Sequence, residues 1–102
     1  MELIVCSGCA GGDALAEALR ETCGEVTVRR AGCLNLCAGP VGVAAQAPGR
    51  ATYVFSGVTE AEAPDMAVFV AEWTRARKGW IADARPLGAL RFRLVARIPA
   101  MA

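Results

Sequence analysis

The sequence predicts a small α/β domain with the element order β-α-β-β-β-α and a basic C-terminal extension. The chain has 102 residues, which is the length of one domain. Short strand-like apolar runs alternate with two longer segments whose apolar residues recur at helical spacing. Hydrophobic residues make up 55% of the chain and charged residues 21%, a balance typical of a folded protein rather than a disordered one.

The first part of the chain reads as strand, helix and strand. Glu2–Cys6 is an apolar run of strand length, and residues 7–12 form a turn with three glycines. Asp13–Thr22 is predicted to be helical because alanine is abundant and two leucines lie four residues apart, and Gly24 is a natural helix stop. Val26–Val28 is predicted as the second strand.

The remainder is predicted to be a loop, a hairpin, a helix and an extension. Residues 31–40 form the loop, and residues 41–45 and 51–55 are two strands joined by a tight turn at Pro48-Gly49. A helix over residues 61–77 follows, with a capping box formed by Thr59 and Glu62. We divide the chain into a core, residues 1–78, and a C-terminal extension of the same domain, residues 79–102. Residues 90–98 of the extension alternate arginine with apolar residues, as in an edge strand or an extended arm. The apolar stripe of the second helix is expected in the core: Met66, Phe69, Val70 and Trp73.

Four of the five cysteines are expected to meet at one edge of the sheet. A strand-helix-strand crossover leaves its two strands parallel in nearly all cases, so both strands end at the same edge. Cys6 ends the first strand and Cys33 closely follows the second. Each begins a closely spaced pair, Cys6-x2-Cys9 and Cys33-x3-Cys37. The sequence therefore predicts a four-thiolate site, and four thiolates suit zinc or an iron–sulfur cluster.

The residue types around these cysteines favour an electron carrier over an enzyme. Glycines near both pairs allow the backbone to approach a bulky centre. The chain has no histidine, which excludes Rieske-type ligation and a Cys–His catalytic pair. No catalytic residues are expected.

Cys23 is expected to be a small core residue rather than a ligand. It ends the first helix and continues the face of its leucines. A helix of that length places it ~15 Å from the first cysteine pair.

Two other functions are consistent with the same cysteines. Cys6 and Cys9 follow a strand and precede a helix, the position of the redox pair in a thioredoxin-like thiol–disulfide oxidoreductase. In that case Cys33 and Cys37 would have no role. A structural zinc site in an interaction module is the second alternative, because spacing alone does not separate zinc from iron.

The segment from Cys33 to Val41 closely resembles the Cys-x3-Cys-x-Gly-Pro segment of the thioredoxin-like [2Fe–2S] ferredoxins. The whole chain resembles one branch, the bacterial DUF1636 family of predicted metal-binding proteins, also in residues 46–50, 52–55 and 96–99. The resemblance implies a thioredoxin-like ferredoxin fold, electron transfer and often a homodimer. It implies a [2Fe–2S] cluster held by Cys6, Cys9, Cys33 and Cys37. Better-known thioredoxin-like ferredoxins have more residues between their first two ligands than Cys6-x2-Cys9. That pattern would make Cys9 and Cys23 the first ligand pair, but the helix geometry argues against it.

Charge and hydropathy bear on compartment and partners. We expect a cytoplasmic protein, because no signal peptide or membrane span is visible. Residues 1–72 carry a net charge of −5 and residues 73–102 a net charge of +6. The basic end is either a solvated tail or a docking surface for an acidic partner, such as a redox protein. Nucleic acid is not expected, because no binding module is recognisable.

Overall fold

The computed structural model of the chain describes residues 1–6, 11–24, 26–32 and 41–101. Within these ranges the protein has a mixed α/β fold with one five-stranded sheet and two α-helices. The strands are β1 (Glu2–Cys6), β2 (Thr27–Ala31), β3 (Val43–Gln46), β4 (Thr52–Phe55) and β5 (Leu94–Ile98), and the helices are α1 (Gly12–Thr22) and α2 (Ala63–Arg75).

The sheet has the strand order β2-β1-β3-β4-β5. The predicted parallel pairing of the first two strands is confirmed, and every other neighbouring pair is antiparallel. The predicted turn between β3 and β4 is also confirmed: Gly49 has a φ of 73°, and the Arg50 N–H donates to the Ala47 carbonyl oxygen at 3.2 Å.

The core lies between the two helices and one face of the sheet. Val5, Val43 and Phe55 occupy one row across β1, β3 and β4 and are fully buried. The apolar stripe predicted for the second helix packs against this face, as the edge-to-face contact of the Phe55 and Phe69 rings shows, with centroids 5.2 Å apart. All four residues of the stripe are buried, which confirms the prediction.

The second helix begins as its sequence indicates. The Thr59 N–H donates to Glu62 Oε1 at 2.9 Å, which is one half of the predicted capping box. A 3₁₀ turn over residues 60–62 precedes α2, and Pro64 lies in the first turn of the helix. The helix is shorter than the predicted 61–77 because Ala76 is extended and ends it.

Two strands differ from their predicted bounds. β2 runs to Ala31 rather than ending at Val28: the exposed Arg29 and the half-buried Arg30 continue it in register with Ile4 and Val5 of β1. The strand expected over residues 90–98 begins at Leu94. Residues 85–93 instead form 3₁₀ turns that bury Leu87 and Leu90 against the core.

The C-terminal extension is attached to the sheet and to the core. β5 pairs with β4, and the buried Tyr53 hydroxyl accepts a hydrogen bond from the Ile81 N–H at 2.8 Å. The Arg97 guanidinium lies 3.8 Å from the ring centre of the half-exposed Trp80. Neither α-helix of the described ranges has the length and hydropathy needed to cross a membrane.

Candidate metal centre

The ends of β1 and β2 lie side by side, as the cysteine pattern predicts. Cys6, the last residue of β1, is in register with Ala31, the last residue of β2. On the other side of β1, the Cys6 N–H donates to the Gly42 carbonyl oxygen at 3.0 Å, just before β3 begins. The end of β1, the end of β2 and the start of β3 therefore lie next to one another at one end of the sheet.

The other three predicted ligands lie outside the described residues. Cys9 belongs to residues 7–10, whose described neighbours are Cys6 and Gly11, and Cys33 and Cys37 belong to residues 33–40. The described residues that follow these two segments, Gly11 and Val41, lie together: a Cβ atom on Gly11 would be 3.8 Å from Val41 Cγ2. The described residues Cys6, Ala31, Gly11 and Val41, which flank the two segments, thus lie at one end of the sheet.

Cys6 is buried at this edge, with 0% of its surface exposed. Its carbonyl oxygen accepts a hydrogen bond from Arg30 Nη2 at 3.0 Å. Arg30 Nη1 also pairs with the carboxylate of Asp13 in the first turn of α1. Arg30 therefore connects β2 with the last residue of β1 and with the start of the helix.

Gly12 allows this close approach. A Cβ atom at this position would lie 2.6 Å from Arg30 Nη2 and 2.9 Å from the Cys6 carbonyl oxygen, closer than non-bonded atoms can come. Any larger residue would displace the guanidinium from Cys6. The glycines of the sequence near the first cysteine pair thus include one that makes room for an arginine.

Arg30 is a functional candidate that the cysteine pattern does not reveal. Its side chain is 22% exposed, and its Nε atom is buried with no hydrogen-bond partner among the described residues. A cation at this position stabilises negative charge nearby. In the sequence, the one signal is an arginine two residues before Gly32 and three before Cys33.

The described residues include one predicted ligand of a four-thiolate centre, Cys6, and their charges are compatible with a centre of net negative charge. The donor set would be one buried strand-end thiolate and three thiolates from the two adjoining segments. The positive guanidinium beside Cys6 suits such a centre electrostatically. Within the described ranges no three Cys, Asp or Glu side chains come together, as expected when three of the four predicted ligands lie outside them.

Cys23 is confirmed as a buried core residue. It is 5% exposed, and its N–H donates to the Leu19 carbonyl oxygen at the end of α1. Burial raises the pKa of its thiol to about 11, so it is protonated at neutral pH. The 11 residues of α1 separate it from the edge at Cys6 by ~15 Å.

Comparison with known proteins identifies a family for the chain. Searches of curated proteins and of solved structures found no match. One family model matches residues 3–100, which include all five cysteines and nearly all of the C-terminal extension. Its description is "Protein of unknown function (DUF1636)". The chain therefore belongs to the DUF1636 family.

Proposed function

We propose that the chain is a small cytoplasmic electron-transfer protein of the thioredoxin-like ferredoxin type. Cys6, Cys9, Cys33 and Cys37 would hold one [2Fe–2S] cluster. The observation that carries the proposal is the parallel register of Cys6 with Ala31. It brings Cys6 beside Ala31, which lies two residues before Cys33, although the two cysteine pairs are far apart in sequence.

When bound, a cluster of this kind accepts and releases single electrons. The chain contributes binding and tuning. Burial of Cys6 keeps water away from one thiolate, and the Arg30 cation offsets negative charge, which increases on reduction.

The burial of Cys6 weighs against the thiol–disulfide oxidoreductase. The attacking thiol of such an enzyme must be accessible to a disulfide substrate. Cys6 is fully buried, and it would be the first cysteine of that redox pair. A zinc site would use the same four thiolates, so the identity of the metal in the purified protein decides between zinc and iron.

Anaerobic purification of the full chain tests the proposal. The measurements are the visible spectrum, the contents of iron, acid-labile sulfide and zinc, and the response to dithionite followed by a mild oxidant. We expect a reddish-brown protein with roughly two iron and two sulfide per chain, bleached and then recoloured. A colourless protein with one zinc per chain, or a metal-free protein that reduces disulfides, would refute the proposal.

A further inference from the structure

β5 presents an unprotected edge of the sheet. It pairs with β4 on one side, and no strand of the described ranges pairs with its other side. Four of its five residues are exposed. Such an edge offers unpaired backbone N–H and C=O groups to another extended chain.

The surface of this edge is apolar as well as open. Phe92 is 75% exposed and Val95 is 54% exposed. Of the eight large apolar side chains that are exposed in the described part of the chain, six lie in residues 80–101. This concentration on one strand and its flanks is typical of an interaction surface rather than of a solvated tail.

Cations flank the strand at both ends. Arg91 lies over the Phe92 ring, 4.7 Å from its centre, and Arg97 lies over the ring of Trp80. Neither guanidinium has a carboxylate partner among the described residues, whereas Arg93 pairs with Glu62. The aromatic rings hold these two unneutralised cations beside the apolar strand.

Position links this surface to the candidate metal centre. Val5, Val43, Phe55 and Leu94 form one row across β1, β3, β4 and β5. Leu94 is thus three strands from β1, about 14 Å at the usual strand spacing. Because β5 runs antiparallel to β1, the first residue of β5 and Cys6, the last residue of β1, lie at the same end of the strands.

We propose that β5, with Arg91 and Phe92 before it and Arg97 within it, docks an extended acidic segment of a partner protein. The inference rests on the proposed function only in making that partner a redox protein. Charge complementarity favours this occupant, because residues 73–102 carry a net charge of +6. A second copy would bring its own unneutralised arginines to the same interface, and like charges disfavour that pairing.

Both the backbone of β5 and the side chains around it would contact the partner segment. Leu94 pairs with Phe55 and Ala96 with Val54, so Val95 is an extra residue in the register, and Pro99 follows the strand. The pairable edge is therefore short. Specificity then depends on the arginines for acidic side chains and on Phe92 and Val95 for apolar ones.

Binding of a short peptide of alternating glutamate and valine to the full-length protein tests the docking surface. The readouts are tryptophan fluorescence, in which the half-exposed Trp80 is the residue near the proposed surface, and amide hydrogen exchange over residues 94–98. The same peptide with lysine in place of glutamate is the ligand control. We expect the glutamate peptide to bind, to slow exchange in β5, and to bind more weakly as salt is raised.

Charge-reversed variants locate the binding. Arg91→Glu should lower the affinity for the glutamate peptide about tenfold. Arg29→Glu makes the same change in net charge on β2, the strand at the opposite side of the sheet from β5, and should leave binding nearly unchanged. Equal affinity for both peptides, or equal loss in both variants, would overturn the proposal.

Sedimentation of the free protein tests whether a second copy of the chain, rather than an acidic partner, binds to β5. Self-association that protects residues 94–98 would place a second copy on β5 and overturn the proposal. A homodimer through another surface is compatible with it. Peptide binding needs no cluster, so this result is independent of the colour and iron content that test the proposed function.

Discussion

The guanidinium group of Arg30 joins β2 to the last residue of β1, because its Nη2 donates a 3.0 Å hydrogen bond to the Cys6 carbonyl oxygen. The same group pairs with Asp13 at the start of α1. A single cation therefore connects β1, β2 and α1 at the end of the sheet where Cys6 lies. This placement gives Arg30 both a structural and an electrostatic role.

Arg30→Gln should make the centre harder to reduce. Loss of the cation removes stabilisation of the more negative reduced form, so the reduction potential should become more negative. The free energy of unfolding should fall by about 1–2 kcal/mol, because the Cys6 carbonyl loses a charged donor. Spectroelectrochemical titration and urea denaturation measure the two effects.

Arg29→Gln is the matched control for Arg30. Arg29 is the preceding residue of β2, points to the other face of the sheet by strand alternation, and pairs with the exposed Glu2. Its loss should change the free energy of unfolding by less than about 0.5 kcal/mol. An equal change of potential in both variants would show that overall charge, not the position of Arg30, controls the centre.

Cys23 should make stability fall in alkaline solution. Its pKa rises from 9.0 in the unfolded reference to about 11 in the folded protein, so the folded state keeps a proton that the unfolded chain releases. Its contribution is complete below pH 9 and is lost as pH rises towards 11, a loss of about 2 kcal/mol. Cys23→Ala should lack this component in urea denaturation between those pH values. A pH dependence identical to that of the wild type would contradict the assignment.

Glu62 should make stability fall in acid. Burial alone would raise the pKa of Glu62, but hydrogen bonds from Arg93 and the Thr59 N–H, with the charge of Arg93, lower it below 4.5. The stabilisation is present above pH 4.5 and is lost as pH falls through the folded-state pKa. Glu62→Gln should lower the free energy of unfolding by about 1–3 kcal/mol at neutral pH, and it should reduce the fall of that free energy in acid. Glu60→Gln, in the same turn but exposed, should do neither.

Tyr53 should anchor the C-terminal extension. Tyr53→Phe removes the acceptor of the buried Ile81 N–H and should lower the free energy of unfolding by about 1–3 kcal/mol. Thr74→Val is a matched hydroxyl deletion, because Thr74 donates to the Val70 carbonyl on an exposed part of α2. It should change stability by less than about 0.5 kcal/mol. Amide exchange at Ile81 that stays unchanged in Tyr53→Phe would contradict the anchoring role.

The sequence was most informative where apolar pattern and local chemistry agree. The bounds of β1 match the prediction because Glu2–Cys6 is a continuous strand-like run in the centre of the sheet. The start of the second helix was predictable because Thr59 and Glu62 satisfy backbone groups of that turn. In both cases the residues that carry the signal also make the contacts.

Tertiary contacts explain what the sequence did not predict. β2 extends through Arg29 and Arg30 because Glu2 and Asp13, distant in sequence, pair with them. Residues 85–93 fold into turns rather than a strand because Leu87 and Leu90 reach the core. Arg30 was missed as a site residue because the predicted second strand ended at Val28, so the strand register that brings Arg30 to Cys6 was not expected.

The candidate site divides in the same way. Chain topology predicted that both cysteine pairs begin at one end of the sheet, and the register of Cys6 with Ala31, two residues before Cys33, agrees with this prediction. Cys9, Cys33 and Cys37 lie outside the described residues, so their joint ligation stays a prediction. Single substitutions address it directly.

The central claim is that four cysteines hold one iron–sulfur cluster, and the iron and sulfide content of anaerobically purified cysteine variants tests it most directly. Serine at Cys6, Cys9, Cys33 or Cys37 should remove most of both elements together with the visible spectrum, while Cys23→Ala should retain them. Wild-type iron, sulfide and spectrum in both Cys33→Ser and Cys37→Ser, or their loss in Cys23→Ala, would contradict the account.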